Sequence, residues 1–397
     1  MRRLSQSPRA PDFVQNPYHF YDEARAAGPW FDWEEYGFPC AAGYAEVNAL
    51  LRDRRFGREL PGAPRPPVPE HLRAFRAVDD LSMLDREPPD HTRLRRLVLR
   101  DFTARRIAAL RPEIAVLSHT LIDNLESSEF DLLGGFAERL PVLVIARLLG
   151  VPDAACSDLL AWSHDMVAMY QARRDRAVEE RADAAAAAFS AFLRALIAAR
   201  RHRPADDLIS KLISARAERD ALDEDEIVAT CILLLNAGHE ATVHVIGNGV
   251  KALLESSLDP KVVLGRTDAV ENAVEEMLRF DAPLHLFTRM ALEDVELFGH
   301  RFRRGETAGC LLAAANRDPA VFGVPDRFDP RRENAGAHLS FGAGIHFCLG
   351  APLARLELVT ALPILFARLQ GLEIGEEPRF ADRYHFRGLE ALILRAT

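Results

Sequence analysis

Apolar residues recur every three or four positions along most of this chain, the spacing that places them on one face of an α-helix. The longest such segment, 223–256, contains no proline and begins with acidic residues, which suit the positive end of a helix. At about 1.5 Å per residue it would form a helix about 50 Å long. The same spacing predicts shorter helices over 16–26, 44–52, 159–170, 185–199, 268–280 and 351–366. Between 107 and 199, the helical segments are predicted to break at Pro112, Pro141, Gly150 and Pro152.

The remaining segments lack helical spacing. Segments 30–42 and 384–394 each predict a pair of short strands, and 284–290 predicts one extended strand. Prolines crowd the segment 59–84, which is predicted to be a long irregular loop, and 316–332 is predicted to be an irregular meander. The fold class predicted from these patterns is mainly α with small β-sheets.

The composition is that of an ordinary globular protein and changes this picture little. The chain has 397 residues, of which 48% are apolar and 27% are charged. Neither an internal repeat nor a Pro/Gly/Ser-rich linker divides it, so a single domain over 1–397 is predicted. The net charge of −9 argues against a general affinity for nucleic acids.

Cysteine usage and the N-terminal sequence indicate the compartment. The five cysteines show neither the paired spacing of a disulfide framework nor a Cys/His cluster typical of zinc. They are Cys40, Cys156, Cys231, Cys310 and Cys348. The first residues lack the apolar core of a signal peptide, and no run is expected to reach the roughly 18 apolar residues that span a bilayer. The sequence therefore predicts a soluble cytoplasmic protein without a membrane anchor.

The segment 341–350, FGAGIHFCLG, carries the most distinctive chemistry of the chain. Glycines, which have no Cβ atom, let a backbone approach a flat, bulky group closely. Cys348 precedes a predicted helix, whose positive end favours the thiolate, the form that ligates metals. His346 can hydrogen-bond an anionic rim of such a group. Taken alone, a single cysteine is also typical of a buried small hydrophobe.

A second candidate lies on a helix that is predicted to begin near His91 and to be capped by Asp90. His91 and Arg95 are four residues apart and share one helix face. An imidazole beside a guanidinium suits a pair of carboxylates, such as propionates. An isolated pair of this kind is also typical of a solvated basic face.

The centre of the long predicted helix reads AGHEAT over 237–242. Ala237 and Gly238 are small enough for a planar group to lie against the helix backbone. Glu240 is an acid within an apolar helix, where an unpaired carboxylate is costly. It is either a residue that moves protons or a salt-bridged or solvated glutamate.

A further motif is EEMLR, in which Glu276 and Arg279 at i and i+3 can pair on one helix. Taken alone, this motif is also typical of a surface ion pair worth about 0–1 kcal/mol.

In chain order the motifs are HxxxR, AGxE, ExxR, a lone Arg289 and FGxGxHxC, and together they resemble the cytochrome P450 family, in particular its soluble bacterial type. The resemblance covers nearly the whole chain and implies the cytochrome P450 fold with heme b as cofactor. It implies that Cys348 is the axial ligand of the heme iron and that Arg332 completes the ExxR element. The residues that it places around the heme are Ala237, Phe341 and Cys348, with His91, Arg95, Arg289 and His346 at the propionates.

The activity implied by the resemblance is that of a monooxygenase of secondary metabolism, which inserts one oxygen atom of O2 into a hydrophobic molecule, most simply as a hydroxylation. Glu240 would help to deliver protons. In the family an alcohol follows this acid, whereas here Ala241 stands in its place and Thr242 lies one position on, rotated by about 100°. The hypotheses are a hydroxyl supplied by the substrate, a water network through Glu240, or peroxide-driven or other heme-thiolate chemistry. We favour the first two hypotheses together: a hydroxyl supplied by the substrate and a water network through Glu240.

The resemblance also implies a mostly apolar substrate pocket and an electron donor. The pocket residues are Leu84, Leu233, Ala237, His285, Phe287 and Phe386, which suit a terpenoid, polyketide, fatty-acyl or aromatic molecule equally well. An acidic ferredoxin-type donor would dock on the basic face around Arg93, Arg96 and Arg100, which is otherwise a solvated face. A non-catalytic heme sensor or accessory protein, and an all-helical protein without a cofactor, stay open as alternatives.

Overall fold

The computed structural model describes residues 1–63, 67–100, 102–125, 127–214 and 221–396. The helices within these residues are α1 (Pro11–Gln15), α2 (Tyr18–Ala26), α3 (Tyr44–Arg52), α4 (Arg73–Asp79), α5 (Asp90–Leu99), α6 (Ala104–Ala108), α7 (Arg111–Asp123), α8 (Arg139–Leu149), α9 (Cys156–Val167), α10 (Arg176–His202), α11 (Leu208–Ser214), α12 (Glu224–Glu255), α13 (Pro260–Leu264), α14 (Thr267–Phe280), α15 (Leu312–Ala315) and α16 (Ala351–Arg368). The strands are β1 (Arg2–Leu4), β2 (Phe31–Trp33), β3 (Phe38–Ala41), β4 (Phe56–Gly57), β5 (Glu129–Asp131), β6 (Leu286–Ala291), β7 (Val295–Leu297), β8 (His300–Phe302), β9 (Thr307–Leu311), β10 (Glu373–Ile374) and β11 (Ile393–Arg395). The predicted class, mainly α with small sheets, is confirmed.

The helices predicted from apolar spacing are present, with bounds that differ by a few residues except in α10. The long α12 runs without interruption for 32 residues. α10 begins nine positions earlier than predicted, because Asp175 caps it by accepting a hydrogen bond from the Val178 N–H at 2.9 Å. Gly150 ends α8 in the left-handed conformation with φ of 85°, as a glycine at this position permits.

Three local predictions are wrong. The segment 59–84 is not a loop throughout, since it contains α4. Its prolines end at Pro69, and α4 forms because Phe75 and Val78, three residues apart, are buried on one helix face. Residues 64–66 of this segment lie outside the described residues. The predicted hairpin over 384–394 does not form, since β11 pairs with β10 and β5. Asp90 lies inside the first turn of α5, and its side chain does not cap the helix.

The described residues group into two compact units. Unit 1 comprises Met1–Pro61, Ser118–Ala137 and Ala241–Thr397, and unit 2 comprises Gly62–Leu117 and Glu138–Glu240. α12 contributes its first half to unit 2 and its second half to unit 1. The single domain over 1–397 stays a prediction.

Unit 1 contains all three sheets of the described residues. The largest sheet has the strand order β1-β2-β3-β9-β6-β4, in which β1–β2 and β3–β9 are parallel and the other pairs antiparallel. Apolar side chains of this sheet and of α3, among them Val47, Leu50 and Ala308, form one buried cluster. Ala343, from the segment that carries Cys348, belongs to the same cluster. The core of unit 1 therefore anchors that segment.

Unit 2 is helical, and its α10 packs against α9 and α4. The buried residues of α10 include Ala182, Ala186, Phe189 and Leu193, which follow each other at helical spacing. A window of 18 residues in α10 has a mean hydropathy of 1.5, so by length and composition this helix is long and apolar enough to cross a membrane. The expectation that no run reaches this length is therefore wrong. A third of the window (33%) is buried in unit 2, and the core helix of a soluble protein has the same composition.

Candidate active site

Cys348 lies near the end of a tightly bent segment, 341–350, which we call the cysteine loop. Gly342 and Gly344 have φ angles of 66° and 72°, in the left-handed region that favours glycine. A Cβ atom on Gly344 would collide with the carbonyl oxygen of Leu51, so the loop passes directly against the end of α3. The Cys348 N–H donates to the Phe341 carbonyl oxygen at 2.9 Å and closes the loop. α16 then begins, which places the thiol just before a helix N-terminus.

Cys348 differs from the other four cysteines in burial. Cys40, Cys156, Cys231 and Cys310 are buried, whereas Cys348 is partly exposed. Burial raises the pKa of Cys156 and Cys310 to about 11 and the pKa of Cys231 to about 12. These thiols therefore stay protonated at neutral pH, and a metal ligand must be a thiolate. Cys348 is the cysteine best placed to serve as one.

Polar side chains from α14 and α16 support the cysteine loop. The guanidinium carbon of Arg355 lies 4.6 Å from the centroid of the Phe341 ring. The same guanidinium donates to the two Glu275 carboxylate oxygens at 2.5 and 2.8 Å, and His338 Nε2 lies 3.1 Å from Glu275. Burial by itself would raise the pKa of Glu275, but Arg355 and His338 outweigh it and lower this pKa to about 2. Glu275 is therefore ionised at neutral pH and holds Arg355 against Phe341.

The predicted ExxR pair belongs to a buried network of three charged side chains. Arg279 donates to Glu276 at 2.6 and 2.8 Å, and both side chains are 0% exposed. Arg332 Nε lies 3.1 Å from Glu276 Oε2, which confirms the expected third member. Arg279 also donates to the carbonyl oxygens of Asn316 and Pro325 at 2.9 and 3.0 Å. The network thus ties the irregular segment before the cysteine loop to α14.

One face at the centre of α12, which we call the uncovered face, is only partly covered by the part of the chain that the structure describes. Leu233, Ala237 and Ala241 follow at intervals of four residues; Leu233 and Ala241 are partly exposed and Ala237 is exposed. Thr242 is 5% exposed and therefore lies off this face, as its rotation of about 100° from Ala241 predicts. Ala237 and Ala241 present only methyl groups on this face.

Gly238 serves a different contact from the one expected of it. A Cβ atom at this position would approach Cγ1 of Ile145 in α8 to 3.3 Å. Within unit 2 this glycine therefore allows α8 and α12 to pack closely, and only Ala237 of the predicted pair lies on the uncovered face.

Glu240 is buried at 5% exposure and faces two imidazoles within unit 2. Its Oε2 atom lies 3.5 Å from Nε2 of His164 in α9 and 3.6 Å from Nε2 of His239. The His164 side chain is 40% exposed, so it connects the buried carboxylate to solvent. An acid in this apolar helix is therefore buried but not isolated, which lowers the cost of keeping it there.

The four residues predicted at the propionates come from both units. Unit 2 contributes His91 and Arg95 from α5, and unit 1 contributes Arg289 from β6 and His346 from the cysteine loop. His91 and Arg289 are each 3% exposed, whereas Arg95 and His346 are partly exposed. Their role toward a cofactor stays a prediction.

Most of the predicted pocket residues have side chains that are at least partly exposed. Leu84 and Leu233 are partly exposed in unit 2, and Phe287 and Phe386 are partly exposed in unit 1. Phe386 packs against the ring of His244 in α12, with 6.1 Å between the ring centroids.

His285 is the exception among the predicted pocket residues. It is 1% exposed, and its Nδ1 atom lies 2.7 Å from the Tyr21 hydroxyl. Burial lowers the pKa of His285 to about 3, so its imidazole is neutral at physiological pH. β6 begins at Leu286, so His285 lies directly before the strand, within the segment 284–290 predicted to be extended. His285 is therefore buried in unit 1, and its role in a substrate pocket stays a prediction.

The basic face predicted as a docking site is smaller than expected. The Arg93 guanidinium forms two contacts with the Glu226 carboxylate, one of them at 3.2 Å, and so its charge is compensated within unit 2. Arg96 and Arg100 are exposed.

Sequence reasoning missed four side chains that the structure places around these groups. Glu275, His338 and Arg355 support the cysteine loop, and His164 faces Glu240. The doubled acid in EEMLR was a signal for Glu275. Nothing in the sequence marked His164, because α9 meets α12 only in the folded unit.

Three comparisons place the chain among known proteins. The family model for cytochrome P450 matches residues 267–381. The chain is 36% identical over 396 residues to the biotin biosynthesis cytochrome P450 of Bacillus subtilis, with 98% of both proteins covered. It is 39% identical over 345 residues to the 6-deoxyerythronolide B hydroxylase of Saccharopolyspora erythraea, covering 84% of this chain and 83% of that protein. Among solved structures it is similar to P450BioI in complex with hexadec-9Z-enoic acid ligated acyl carrier protein, with a TM-score of 0.91, 35% identity, and 97% and 100% of the two chains covered.

Proposed function

Since the chain belongs to the cytochrome P450 family and is a monooxygenase that uses heme b, we propose that Cys348 ligates the heme iron and that one oxygen atom of O2 is inserted into a hydrophobic substrate. Oxidoreductase activity and heme b are properties of the family. What we propose for this chain is the identity of the iron ligand, Cys348, and of the residues that surround the heme. The observation that carries the proposal is the partly exposed Cys348 on its glycine-bent loop.

The residues of the chain fit heme b on three counts. Cys348 offers a sulfur ligand before a helix N-terminus, where the thiolate is favoured. Gly350 has no side chain beside the sulfur, and a Cβ atom there would lie 3.8 Å from Cys348 Sγ. The glycine therefore leaves space next to the sulfur for a cofactor. The uncovered face of α12 presents the small side chain of Ala237, which leaves room for a planar group against the helix. When bound, heme b supplies the activation of O2, and a thiolate ligand favours O–O cleavage.

The polar side chains of the chain would hold and orient the cofactor. Arg95 and Arg289 supply cationic donors for the propionates, and His91 and His346 supply imidazole donors. The Glu275–Arg355 pair keeps Phe341 and hence the cysteine loop in place. The Glu276 network holds the chain that leads into this loop.

Glu240 would move protons toward the uncovered face of α12. Its carboxylate is buried, and the partly exposed His164 lies 3.5 Å away on the side of solvent. The usual alcohol at the next position is missing, since Ala241 lies on the uncovered face and Thr242 does not. We therefore favour a hydroxyl of the substrate, together with water ordered by Glu240, as the proton path.

The proposed substrate is an acyl chain or polyketide, with hydroxylation as the simplest reaction. Leu84, Leu233, Phe287 and Phe386 offer apolar contacts with partly exposed side chains. The names of the relatives support this class, since one acts in biotin biosynthesis, one is a 6-deoxyerythronolide B hydroxylase, and P450BioI was solved with an acyl chain on its carrier protein.

The proposed electron donor is an acidic ferredoxin that docks on the exposed Arg96 and Arg100. A cytoplasmic location without a membrane anchor is proposed with it. The burial of the apolar positions of α10 against other helices of unit 2 supports this location, because a helix used in a core is not available to lipid.

The Cys348→Ser variant tests the ligand. We expect it to lose the thiolate-type spectrum of the ferrous–CO complex and all turnover, while Cys156→Ser keeps both. A Cys348→Ser protein with the parent spectrum would refute the proposal. Turnover of the parent protein with a surrogate ferredoxin system separates the enzyme from a heme sensor, which would show the thiolate spectrum and no product.

The Ala241→Thr variant tests the proton path, with product formed per reductant consumed as the measurement. If the substrate supplies the hydroxyl, we expect good coupling in the parent protein and no gain in the variant. Poor coupling in the parent that improves sharply in Ala241→Thr would show that neither the substrate nor a water network replaces the threonine.

A further inference from the structure

Three side chains from distant parts of the sequence converge in unit 2. His164 comes from α9, and His239 and Glu240 come from α12. Their donor atoms all lie within 4.8 Å of one another. His239 and Glu240 are 1% and 6% exposed in their side chains, whereas His164 is 40% exposed. The cluster is therefore buried on one side and open to solvent through a single imidazole.

The hydrogen bond on the far side of the His239 ring determines which nitrogen faces the cluster. Nδ1 lies 2.8 Å from the Leu235 carbonyl oxygen, and because a carbonyl oxygen only accepts, Nδ1 carries the hydrogen. In the neutral imidazole Nε2 then presents its lone pair, and Nε2 is the atom that lies 3.6 Å from Glu240 Oε2. A backbone carbonyl that orients the ring in this way is the usual support of a metal-binding histidine.

The facing atoms call for a cation between them. A lone pair on His239 Nε2 and a carboxylate oxygen at 3.6 Å repel each other unless a proton or a metal ion lies between. The His164 Nε2 atom approaches the same oxygen at 3.5 Å. In a tetrahedral zinc site with bonds of about 2.0–2.2 Å, neighbouring ligand atoms lie roughly 3.3–3.5 Å apart. The two distances to Glu240 thus already match such a site within a few tenths of an ångström.

We propose that His164, His239 and Glu240 form a binding site for a divalent transition-metal ion of the zinc class. Two imidazoles and one carboxylate are a donor set that suits Zn²⁺, and water would complete the tetrahedron. The partly exposed His164 gives an ion an entry path from solvent. The site is separate from Cys348 in its donors, since it contains no sulfur.

A metal ion held there would occupy the Glu240 carboxylate. If Glu240 moves protons as proposed above, zinc would therefore slow turnover. This consequence rests on the proposed function, whereas the binding itself does not.

Equilibrium dialysis of the heme-loaded protein against zinc tests the site. The protein, without an affinity tag and after treatment with a chelator, is dialysed at increasing Zn²⁺ concentrations, and zinc per chain is measured by mass spectrometry of the elements. We expect one zinc per chain with saturable binding, and at least about a tenfold weaker affinity in His164→Ala. The exposed His19→Ala is the matched control and should bind as the parent does. Because His164 is partly exposed, its variant is expected to fold, which the heme spectrum checks.

X-ray absorption at the zinc edge gives a second, independent readout. Two nitrogen ligands and oxygen ligands at about 2.0–2.2 Å are expected, with no sulfur. Equal binding by the parent and His164→Ala, or sulfur in the zinc shell, would overturn the site. Zinc that binds at this site without slowing turnover would leave the metal site standing and would count against the proton role of Glu240.

Discussion

Glu276 and Glu240 are both buried carboxylates in helices, yet their surroundings differ in kind. Glu276 in unit 1 is held by two arginines, with contacts of 2.6 and 3.1 Å. Glu240 in unit 2 faces two histidines at 3.5 and 3.6 Å. A guanidinium pairs with a carboxylate through two parallel hydrogen bonds and does not ligate metals, whereas an imidazole nitrogen is a common metal ligand. The two arginines around Glu276 therefore support the structure. The two histidines around Glu240 leave a place that a proton or a metal ion can occupy.

The backbone around each glutamate differs in the same sense. The Glu276 network and the Glu275–Arg355 pair hold an irregular segment and a glycine-bent loop, which lack the continuous hydrogen-bond ladder of a helix. Glu240 lies in the middle of a continuous helix of 32 residues, which keeps its shape without help from the side chain. Replacing the first glutamate should therefore affect folding, and replacing the second should affect chemistry.

The largest expected effect is that of Glu276→Gln on stability. The substitution leaves the buried Arg279 and Arg332 without their shared countercharge, and loss of one partner of a buried ion pair costs about 3–5 kcal/mol. Denaturant unfolding followed by far-ultraviolet circular dichroism measures the loss. Glu255→Gln is the control, because it removes only the exposed Lys251 pair on α12 and should cost about 0–1 kcal/mol. Equal losses in the two variants would contradict the structural role of the network.

Glu240→Gln should leave folding and the heme spectrum nearly unchanged and slow turnover. Loss of a residue that moves protons typically costs about a hundredfold or more in kcat. Steady-state kinetics with a surrogate ferredoxin system, in H2O and D2O, provides the measurement, with Glu255→Gln again as the control. If Glu240→Gln keeps its turnover, Glu240 has no role in proton transfer. If it loses as much stability as Glu276→Gln, the two glutamates do not differ in their roles.

Gly344→Ala tests whether the backbone conformation of the cysteine loop requires glycine at this position. The residue has φ of 72°, and an added Cβ atom would collide with the Leu51 carbonyl oxygen. A cost of about 1–3 kcal/mol is expected, with faster loss of heme on heating. Gly323→Ala is the matched control, because its Cβ atom would meet nothing within 4 Å. Equal heme retention in the two alanine variants would show that the loop tolerates a side chain there.

A further expected effect is a pH dependence in the support of the loop. The pKa of Glu275 is lowered to about 2 in the folded protein from 4.5, so its pairing stabilises the fold fully above about pH 4.5 and the stabilisation is lost as the pH falls toward 2. Glu275→Gln should therefore be less stable than the parent at pH 7, and the difference should shrink at pH 3. Unfolding at both pH values measures it. A difference that stays constant with pH would mean that the carboxylate charge is not what matters.

Local spacing was enough to predict the helices and much of the candidate site. The run of apolar residues in 223–256 predicted α12 within one residue at each end, since helix formation there depends on neighbours a turn away. The order of residues around Cys348 predicted a bent loop before a helix, and both are present. The burial of His285 could not be predicted from its sequence neighbours, because the Tyr21 hydroxyl that lies 2.7 Å from its ring is 264 residues away in the chain.

The sequence by itself determined which side chains carry chemistry: the thiol of Cys348, the acid of Glu240 and the missing alcohol at Ala241. The tertiary structure decided what these groups meet. His164 reaches Glu240, and Arg355 reaches Glu275, only because helices far apart in the chain pack together. The physical reason is the sequence distance over which the interactions act. Helical hydrogen bonds and apolar spacing involve residues within one or two turns, whereas charges far apart in the sequence meet only when the helices pack into a core.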